Sequence, residues 1–149
     1  MATLARNKTI GTQYDILETY QAGLELYGHE VKSIRAGKVT LKGSYIKLYG
    51  SQVFWVGGII APYQSGDIYK AYKQDRPRKL LLTVSEIKRL IGRSKEKGLT
   101  LLPISLYTKG PWIKMEVAVA RGLKKYDRRE KVKERDFKRR KARLEGRNF

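Results

Sequence analysis

The clearest pattern in the chain is a strict alternation of apolar and polar or small positions over residues 112–120. Ile113, Met115, Val117 and Val119 carry the apolar half of this alternation. Successive side chains of a strand point to opposite faces, so a period of two predicts a strand with one buried face.

Two further parts of the chain predict strands. Residues 14–26 are rich in Tyr, Ile, Leu and Thr, and Gly23 within them predicts a bulge or bend. Residues 45–49 and 53–56 are mostly apolar or aromatic and are separated by Gly-Ser-Gln. This spacing predicts a β-hairpin.

A fifth strand and a long loop are predicted from composition. LTLLPISLY, from residue 99, is strand-like, and Pro103 indicates a sheet edge or a bulge because proline has no N–H to donate. Residues 62–78 are mostly polar and contain Gly, Asp and Pro. They predict a surface loop, and loops of this length are usually functional.

Two helices complete the predicted elements. GHEVKSIRAG has apolar residues at helical spacing and ends at Gly37, and Thr83 followed by Glu86 is a capping box before an apolar face. Five or six short strands that do not alternate with helices predict a mainly β fold. We expect residues 1–122 to form a small antiparallel OB-like β-barrel, closed or nearly closed, with two or three flanking helices.

The net charge of the chain narrows the range of partners. The 149 residues include 33 Lys and Arg against 14 Asp and Glu, a net charge of +19. This excess favours nucleic acid as partner, because each phosphate neutralised by Lys or Arg releases a condensed counterion. A membrane partner is disfavoured because there is no cysteine to carry a lipid. No apolar run resembles a signal peptide or reaches membrane-spanning length, so we expect a cytoplasmic protein.

Residues 123–149 form a basic tail with 13 Lys and Arg against 5 Asp and Glu. Its few apolar residues keep no period, so burial cannot offset the cost of ordering, roughly 1–2 kcal/mol per residue for the backbone. We expect the tail to be disordered in isolation and helical on a partner, since good helix formers dominate it. Tyr126 and Phe137 lie among cations, where rings can stack on unpaired bases. A merely solubilising tail is the alternative.

No catalytic constellation is evident. The chain has one histidine, His29, no cysteine, and no GxSxG, HExxH or P-loop motif. We therefore predict no enzyme activity, no catalytic residue, no cofactor and no metal site. Glu18 and Glu30 more simply orient Arg or Lys side chains than act as an acid and base pair.

The alternating strand and its end place cations beside aromatic residues. Its outward positions carry Trp112, Lys114 and Glu116. Arg121 and the cations after it extend this series toward Tyr126. Such a face can bind RNA; an ordinary solvated sheet face is the alternative, which the net +11 of residues 1–122 disfavours.

Four blocks of the sequence closely resemble the small protein B (SmpB) family, whose members are the protein partners of transfer-messenger RNA (tmRNA) in bacterial trans-translation. The resemblance runs in order from about Asn7 into the tail. The blocks are ETYQAGLELYGHEVKSIRAGKVTLKGSY (18–45), RPRKLLLTVSEIKRLIG (76–92), KEKGLTLLPISLY (95–107) and KKYDRREKVKERD (124–136).

The resemblance implies a non-enzymatic adaptor that rescues stalled ribosomes. Its OB-like barrel would bind the tRNA-like domain of tmRNA and take the place of the missing anticodon arm. Its tail would pass the small-subunit decoding centre and probe the empty mRNA channel as a helix. We expect a monomer when the protein is free. A constitutive ribosomal or general RNA-binding protein is the alternative.

The resemblance also implies roles for individual residues. It implies tmRNA contacts by Asn7, Lys8, Tyr14, Gln21, Leu81, Lys114, Arg121, Lys124 and Lys125. Leu81 can instead belong to the barrel core. It implies contacts with the ribosomal decoding centre by Tyr126, Asp127, Arg128 and Arg129. It implies contacts with the mRNA channel by Lys131, Lys133, Arg135, Phe137, Lys138, Arg139 and Arg140.

Three positions depart from the family pattern. Gln21 occupies a position that is commonly Glu, and Leu123 stands where Lys is usual. These two changes leave their individual contacts open. Arg128 replaces a common Lys, which keeps the charge but changes the hydrogen-bonding geometry.

Overall fold

The computed structural model describes residues 2–64 and 71–146, without the side chains of 125–127 and 144–146. Within these ranges the chain forms strands and helices in a mixed order. The elements are β1 (Thr3–Arg6), α1 (Ile10–Gln13), β2 (Tyr14–Leu24), α2 (Gly28–Arg35), β3 (Val39–Thr40), β4 (Tyr45–Tyr49), β5 (Gln52–Val56), β6 (Ile59–Ile60), β7 (Arg78–Leu81), α3 (Val84–Ser94), β8 (Leu99–Lys109), β9 (Trp112–Gly122) and α4 (Lys125–Gly146).

Seven strands form one antiparallel sheet in the order β1-β8-β9-β2-β7-β5-β4, and β3 pairs with β6 in a small second sheet. The large sheet curls until β4, at one edge, lies against β8. Among the described residues no hydrogen-bonded ladder closes the curl. The fold is therefore mainly β and barrel-like but open, which confirms the predicted fold class in its nearly closed form.

The core fills the inside of the curled sheet. Side chains from the three long strands β2, β8 and β9 meet residues from the short strands and from two helices there. Ile34 of α2 and Leu90 of α3 are fully buried, so these helices cover open parts of the barrel. The largest fully buried apolar side chains are Trp55, Ile34, Ile60, Leu80, Leu90, Leu106 and Met115. No helix within the described ranges is both long and apolar enough to cross a membrane.

Several local predictions are confirmed. The hairpin is β4 and β5, with Tyr49 paired to Gln52. The register of β8 shifts just after Pro103, as expected of a bulge. Thr83 caps α3, because its hydroxyl accepts from the Glu86 amide at 3.2 Å and its own amide donates to the Glu86 carboxylate at 3.0 Å. Gly37 follows α2 with a φ of 78°, a left-handed conformation that glycine adopts readily.

Strand β9 departs from the prediction in its second half. Ile113, Met115, Val117 and Val119 are buried as expected, but Ala118 and Ala120 on the opposite face are also fully buried. The reason is a second, small cluster in which Ile10 of α1 and Leu102 of β8 cover these alanines. Only the first half of β9 keeps an open outer face.

The bulge in β2 lies at Leu17 and not at Gly23. The register with β9 shifts between Ile16 and Glu18, so the extra residue turns the Glu18 side chain toward the inner side. Gly23 stays in register and pairs with β9 on one side and β7 on the other. A Cβ at this glycine would lie 3.2 Å from the Leu81 Cβ, so its role is to allow close packing.

Five of the described elements are absent from the sequence prediction. They are β1, α1 and β7, each four residues long, and β3 and β6, each two residues long. Elements this short show no periodicity that could identify them. The predicted loop over residues 62–78 ends where β7 begins at Arg78, and its residues 65–70 lie outside the described part of the chain.

Glu30 is the centre of a buried polar network that joins α2 to β7. Its side chain and that of Arg78 are fully buried, and Arg78 donates to its carboxylate from Nε at 3.0 Å and from Nη2 at 2.9 Å. Arg76 also pairs with it, and the Tyr72 hydroxyl donates to it at 2.9 Å. Burial alone would raise the pKa of Glu30, but these donors and the Tyr27 amide lower it on balance. The carboxylate therefore stays ionised and pairs with two arginines.

We predict that Glu30→Ala lowers the free energy of unfolding by roughly 3–5 kcal/mol, because it leaves the buried Arg78 guanidinium without its counter-charge. Urea denaturation at neutral pH measures this loss. Glu25→Ala is the matched control, since Glu25 is an exposed carboxylate nearby in sequence. Equal losses in the two variants would contradict a structural role for the network.

Candidate nucleic-acid interface

Three of the residues predicted to contact RNA lie together on the open outer face of the sheet. We use "outer face" for the side of β2, β7 and β9 that points away from the core. Gly23 pairs with Leu81 on one side and Lys114 on the other, and Gln21 lies two residues earlier in β2. A Cβ at Gly23 would lie 3.5 Å from the Lys114 Nζ, so the missing side chain lets the cation lie across β2.

The sequence leaves two roles open to Leu81, a contact with RNA and a place in the barrel core, and its exposure excludes the second. Leu81 is 48% exposed, whereas its neighbour Leu80 is 2% exposed. The expectation that Leu81 belongs to the barrel core is therefore wrong. Trp112 is also exposed, at 68%. The side chains of Leu81 and Trp112 place apolar surface beside the Lys114 ammonium. Cations next to exposed apolar or aromatic groups can hold both phosphates and bases.

A second group of predicted residues lies at the other end of β9. Tyr14 and Asp15 pair with Gly122 and Arg121, and the Leu123 amide donates to the Gln13 carbonyl at 3.0 Å. Lys124 follows at once, so the cations here lie close to the Tyr14 backbone. At about 3.3 Å per residue, Arg121 lies roughly 23 Å along the strand from the Lys114 group. The predicted residues thus form two groups, one near each end of β9.

Asn7 has a structural contact that its predicted role did not include. Its side-chain amide donates to the Pro103 carbonyl at 3.3 Å, and its backbone amide donates to the Ile104 carbonyl at 2.8 Å. These bonds hold the bulge of β8 against the segment between β1 and α1. Lys8, the next residue, is exposed and free to meet a polyanion.

Glu18 links the sheet to α3 through two arginines. Arg89 Nη2 donates to its carboxylate at 2.9 Å, Arg93 Nε donates at 3.0 Å, and the Tyr20 hydroxyl donates at 2.7 Å. The hydrogen bonds from Arg89, Tyr20 and Arg93 lower the pKa of Glu18 from 4.5 to about 2. Glu18 and Glu30 therefore both orient arginines, as their sequence context indicates.

Neither arginine of this cluster was singled out from the sequence. Arg89 and Arg93 are four residues apart, a spacing that places both on one side of α3. That spacing was the available signal, but the carboxylate that they share lies 71 residues before Arg89. A contact between residues so far apart in the chain cannot be predicted from the sequence alone.

Tail helix α4 follows β9 after two residues and returns toward the N-terminal segment. The Lys131 ammonium lies 3.5 Å from the Tyr14 carbonyl and 3.7 Å from the Asp15 carboxylate. A groove of about 550 Å³ separates α4 from α1, and cations lie on both of its walls. Its lining includes Lys8, Thr12, Lys131, Arg135, Lys138 and Arg139.

Most tail residues with predicted ribosome contacts are exposed. Lys131 and Arg135 are half-buried, while Phe137 is 68% exposed. The side chains of Lys125, Tyr126 and Asp127 lie outside the described residues, so their predicted contacts stay predictions. The other exposed members are Arg128, Arg129, Lys133, Lys138, Arg139 and Arg140.

The described residues offer little for metal chemistry. Among residues 2–64 and 71–146, no group of three or more His, Cys, Asp or Glu side chains could hold a metal ion. His29 packs its ring between two tyrosines, with ring centres 5.7 Å from Tyr27 and 4.6 Å from Tyr72. The polar groups of the candidate interface instead surround the side chains of lysines and arginines.

We predict that Glu18→Gln lowers the free energy of unfolding at pH 7 by roughly 1–2 kcal/mol, since solvent screens the exposed Arg89. The pKa of Glu18 is lower in the folded than in the unfolded chain. Its stabilising effect is therefore complete above about pH 4.5 and declines as the pH falls toward 2. Urea titrations from pH 3 to 7 should show a shallower pH dependence in the variant; a dependence equal to that of the wild type would contradict the assignment.

Comparison with known proteins places these features in a family. The family model described as "SmpB protein" matches residues 4–147. An SsrA-binding protein of Magnetococcus marinus is 46% identical over 141 residues, which cover 95% of this chain and 93% of the relative. An SsrA-binding protein of Geobacillus kaustophilus is 48% identical over 136 residues, which cover 91% of this chain and 87% of the relative.

A solved structure shows the same fold. It is described as "tmRNA-SmpB: a journey to the center of the bacterial ribosome", with a TM-score of 0.68 and 39% sequence identity. The match covers 86% of this chain and 93% of the other chain. Because the family model and the relatives span the sheet, its outer face and α4 together, this chain belongs to the SmpB family.

Proposed function

We propose that this chain is a tmRNA-binding adaptor that acts in trans-translation, the rescue of stalled ribosomes. The observation that carries the proposal is the outer face, where Gln21, Leu81 and Lys114 from three strands meet on a protein of net charge +19. Relatives that share nearly the whole chain are named SsrA-binding proteins, and a 39% identical structure was described as tmRNA-SmpB on the ribosome.

The body is proposed to bind the tRNA-like domain of tmRNA along the sheet. Its two groups of cations, around Lys114 and around Arg121, are about 23 Å apart along β9. A folded RNA domain can contact both groups at once, because phosphates recur along its backbone. Leu81 and Trp112 would contact sugars or bases, and the lysines would neutralise phosphates. In this role the protein replaces the anticodon arm that tmRNA lacks.

The tail is proposed to act on the ribosome. Helix α4 is polar around most of its circumference, and its described contacts with the body centre on Lys131 at 3.5 and 3.7 Å. Contacts of this length are weak and screened by salt. They support a tail that leaves the body. We expect it to be disordered when free and to become helical against RNA. Residues 126–129 would meet the decoding centre, and the cations from Lys131 to Arg140 would enter the empty mRNA channel.

The proposed activity is binding without a chemical step. Recognition of RNA by cations and exposed rings breaks no covalent bond, so the adaptor needs no cofactor. Ribosomes are its place of action, which makes the cytoplasm its proposed location. A monomer suffices, because one sheet face and one tail address the two RNA partners.

We predict that affinity for the tRNA-like domain falls with salt, with log K decreasing by roughly 0.7–0.9 per phosphate contact for each unit of log salt concentration. Lys114→Ala should reduce this slope by about one contact. Fluorescence anisotropy from 50 to 300 mM KCl would measure it. Lys47→Ala is the control, because Lys47 lies on the edge strand β4, away from the outer face. An affinity independent of salt would contradict the proposal.

We also predict that deletion of residues 126–149 spares tmRNA binding, because the outer face and β9 remain. The same deletion should abolish peptide tagging on ribosomes stalled at the end of a message. Anisotropy and a reconstituted tagging assay measure the two effects. A full-length variant with Lys133 and Arg140 changed to Ala is a milder comparison that keeps the chain length. Loss of both activities together would show that the tail also contributes to tmRNA binding.

A further inference from the structure

A row of polar side chains crosses four strands beside the Lys114 group. Arg6 of β1 pairs with Ser105 of β8, Ser105 pairs with Glu116 of β9, and Glu116 pairs with Gln21 of β2. Residues that pair directly across a sheet lie side by side on one face. The row therefore gathers a guanidinium, a hydroxyl, a carboxylate and an amide on the outer side of the sheet.

The row borders a cavity of about 360 Å³. The size is at the lower end of the range for small-ligand sites, so it suits a single planar group rather than a stretch of duplex. Every lining residue carries a polar group, which is typical of a site that recognises a ligand through hydrogen bonds. The lining residues are Thr3, Arg6, Gln21, Ser105, Tyr107 and Glu116.

Tyr107 lies at this cavity with an unpaired hydroxyl. The residue is 8% exposed, and its hydroxyl has no hydrogen-bond partner among the described residues. A buried polar group without a partner is costly, and such groups often mark a site where a ligand or water completes the bonding. Burial and the nearby charge of Glu116 raise the pKa of Tyr107, so the hydroxyl stays protonated and can donate.

Glu116 is the unusual member of the row. It is a half-buried carboxylate two residues from Lys114, but in the described part of the chain it has no hydrogen bond and no ion pair. A carboxylate repels phosphate, so it weakens general RNA binding at this face. Two carboxylates elsewhere in the fold, Glu18 and Glu30, are both bonded to arginines. Glu116 instead has both oxygens available to accept from a ligand.

We propose that this cavity binds an unpaired guanine base of the RNA held on the outer face. The inference rests on the proposed function. Guanine alone among the four bases presents two adjacent donors, N1–H and N2–H, to the two oxygens of a carboxylate. Its O6 acceptor lies beside them, where the Tyr107 hydroxyl donates to it as the covering side chains move aside. Arg6 and Gln21 flank the base from opposite ends of the row.

The other bases do not match the same set of groups. Adenine presents an acceptor at N1 where the carboxylate needs a donor. Cytosine places one amino donor beside an acceptor, and uracil places one N–H between two acceptors. Each of these arrangements leaves a carboxylate oxygen facing an acceptor, which costs binding energy in a partly buried site. Glu116 therefore sets the specificity of the cavity, while the surrounding lysines supply sequence-independent affinity.

The test uses the full-length protein and five RNA heptamers. Each heptamer has three uridines on either side of a central nucleotide, which is G, A, C, U or inosine. Inosine keeps O6 and N1–H of guanine but lacks the N2 amine. The wild type should bind the G heptamer about 10-fold more tightly than the A, C and U heptamers, within the range of one good bidentate contact. The inosine heptamer should bind with intermediate affinity. Equal affinity for all five would overturn the proposal.

Glu116→Gln separates recognition from charge. The change removes one negative charge and the bidentate contact with guanine, so affinity for the A, C and U heptamers should rise or hold, while the preference for G over inosine and A disappears. Glu25→Gln makes the same change of charge at an exposed site away from the row and should keep the preference. A preference that survives Glu116→Gln would overturn the role of Glu116. Melting curves check that each variant is folded.

Tyr107→Phe tests the proposed hydrogen bond from the Tyr107 hydroxyl to guanine O6. Its hydroxyl has no described partner, so the change should not destabilise the fold. Affinity for the G and inosine heptamers should fall by a similar factor of about 5, because both bases carry O6. Unchanged affinity for both would overturn the bond to O6.

The outcome also separates this inference from the proposed function. Selective binding of the tRNA-like domain over ordinary tRNA, without base preference in the heptamers, would overturn the guanine site alone. A guanine preference without selective tmRNA binding would overturn the proposed function and leave the cavity as a base-binding site.

Discussion

The bonds between the Glu30 carboxylate and the two arginines beside it are the interaction on which the rest of the structure depends. A chain of net charge +19 resists compaction, and Arg78 is nevertheless fully buried at the first residue of β7. Glu30 makes this possible because it is buried in the same place and accepts from Arg78 through two nitrogens. Strand β7 joins β2 to β5, so the order of the whole large sheet relies on this neutralised pair.

The contrast between paired and unpaired charges also explains which side chains of the surface can bind RNA. Glu18 and Glu30 use their carboxylates to hold arginines in fixed positions, and both remain ionised because those arginines lower their pKa values. Within residues 2–64 and 71–146, no comparable carboxylate is bonded to Lys114 or Arg121, which leaves both available to phosphates. Negative charge thus stabilises the fold where it is paired, and unpaired positive charge is directed outward for RNA.

The sequence predicted the fold where a pattern was long and local. The alternation through Met115 and Val117 identified β9, and the pair Thr83 and Glu86 identified the start of α3. Short strands such as β7 could not be found this way, because four residues that begin with a buried arginine show neither the period nor the apolarity of a strand. The bulge at Leu17 was missed because any residue can occupy such a position, whereas glycine is only a frequent choice.

The site was predictable in its residues but not in its arrangement. The resemblance to the SmpB family supplied Gln21, Leu81 and Lys114, and the structure showed that they meet around Gly23. The cavity beside them was hidden from the sequence, since Arg6 and Tyr107 come together only through the pairing of β1 with β8. Contacts between positions a hundred residues apart depend on strand register, which no local pattern specifies.

Strand β9 has a mechanical consequence for the molecule. It carries Lys114 near one end and leads into α4 at the other, and it is hydrogen-bonded on both sides over most of its length. A strand held in this way bends little, so it behaves as a stiff rod between the RNA grip and the root of the tail. Any tilt of the RNA on the sheet is therefore transmitted along β9 toward α4, because only Leu123 and Lys124 separate the strand from the helix.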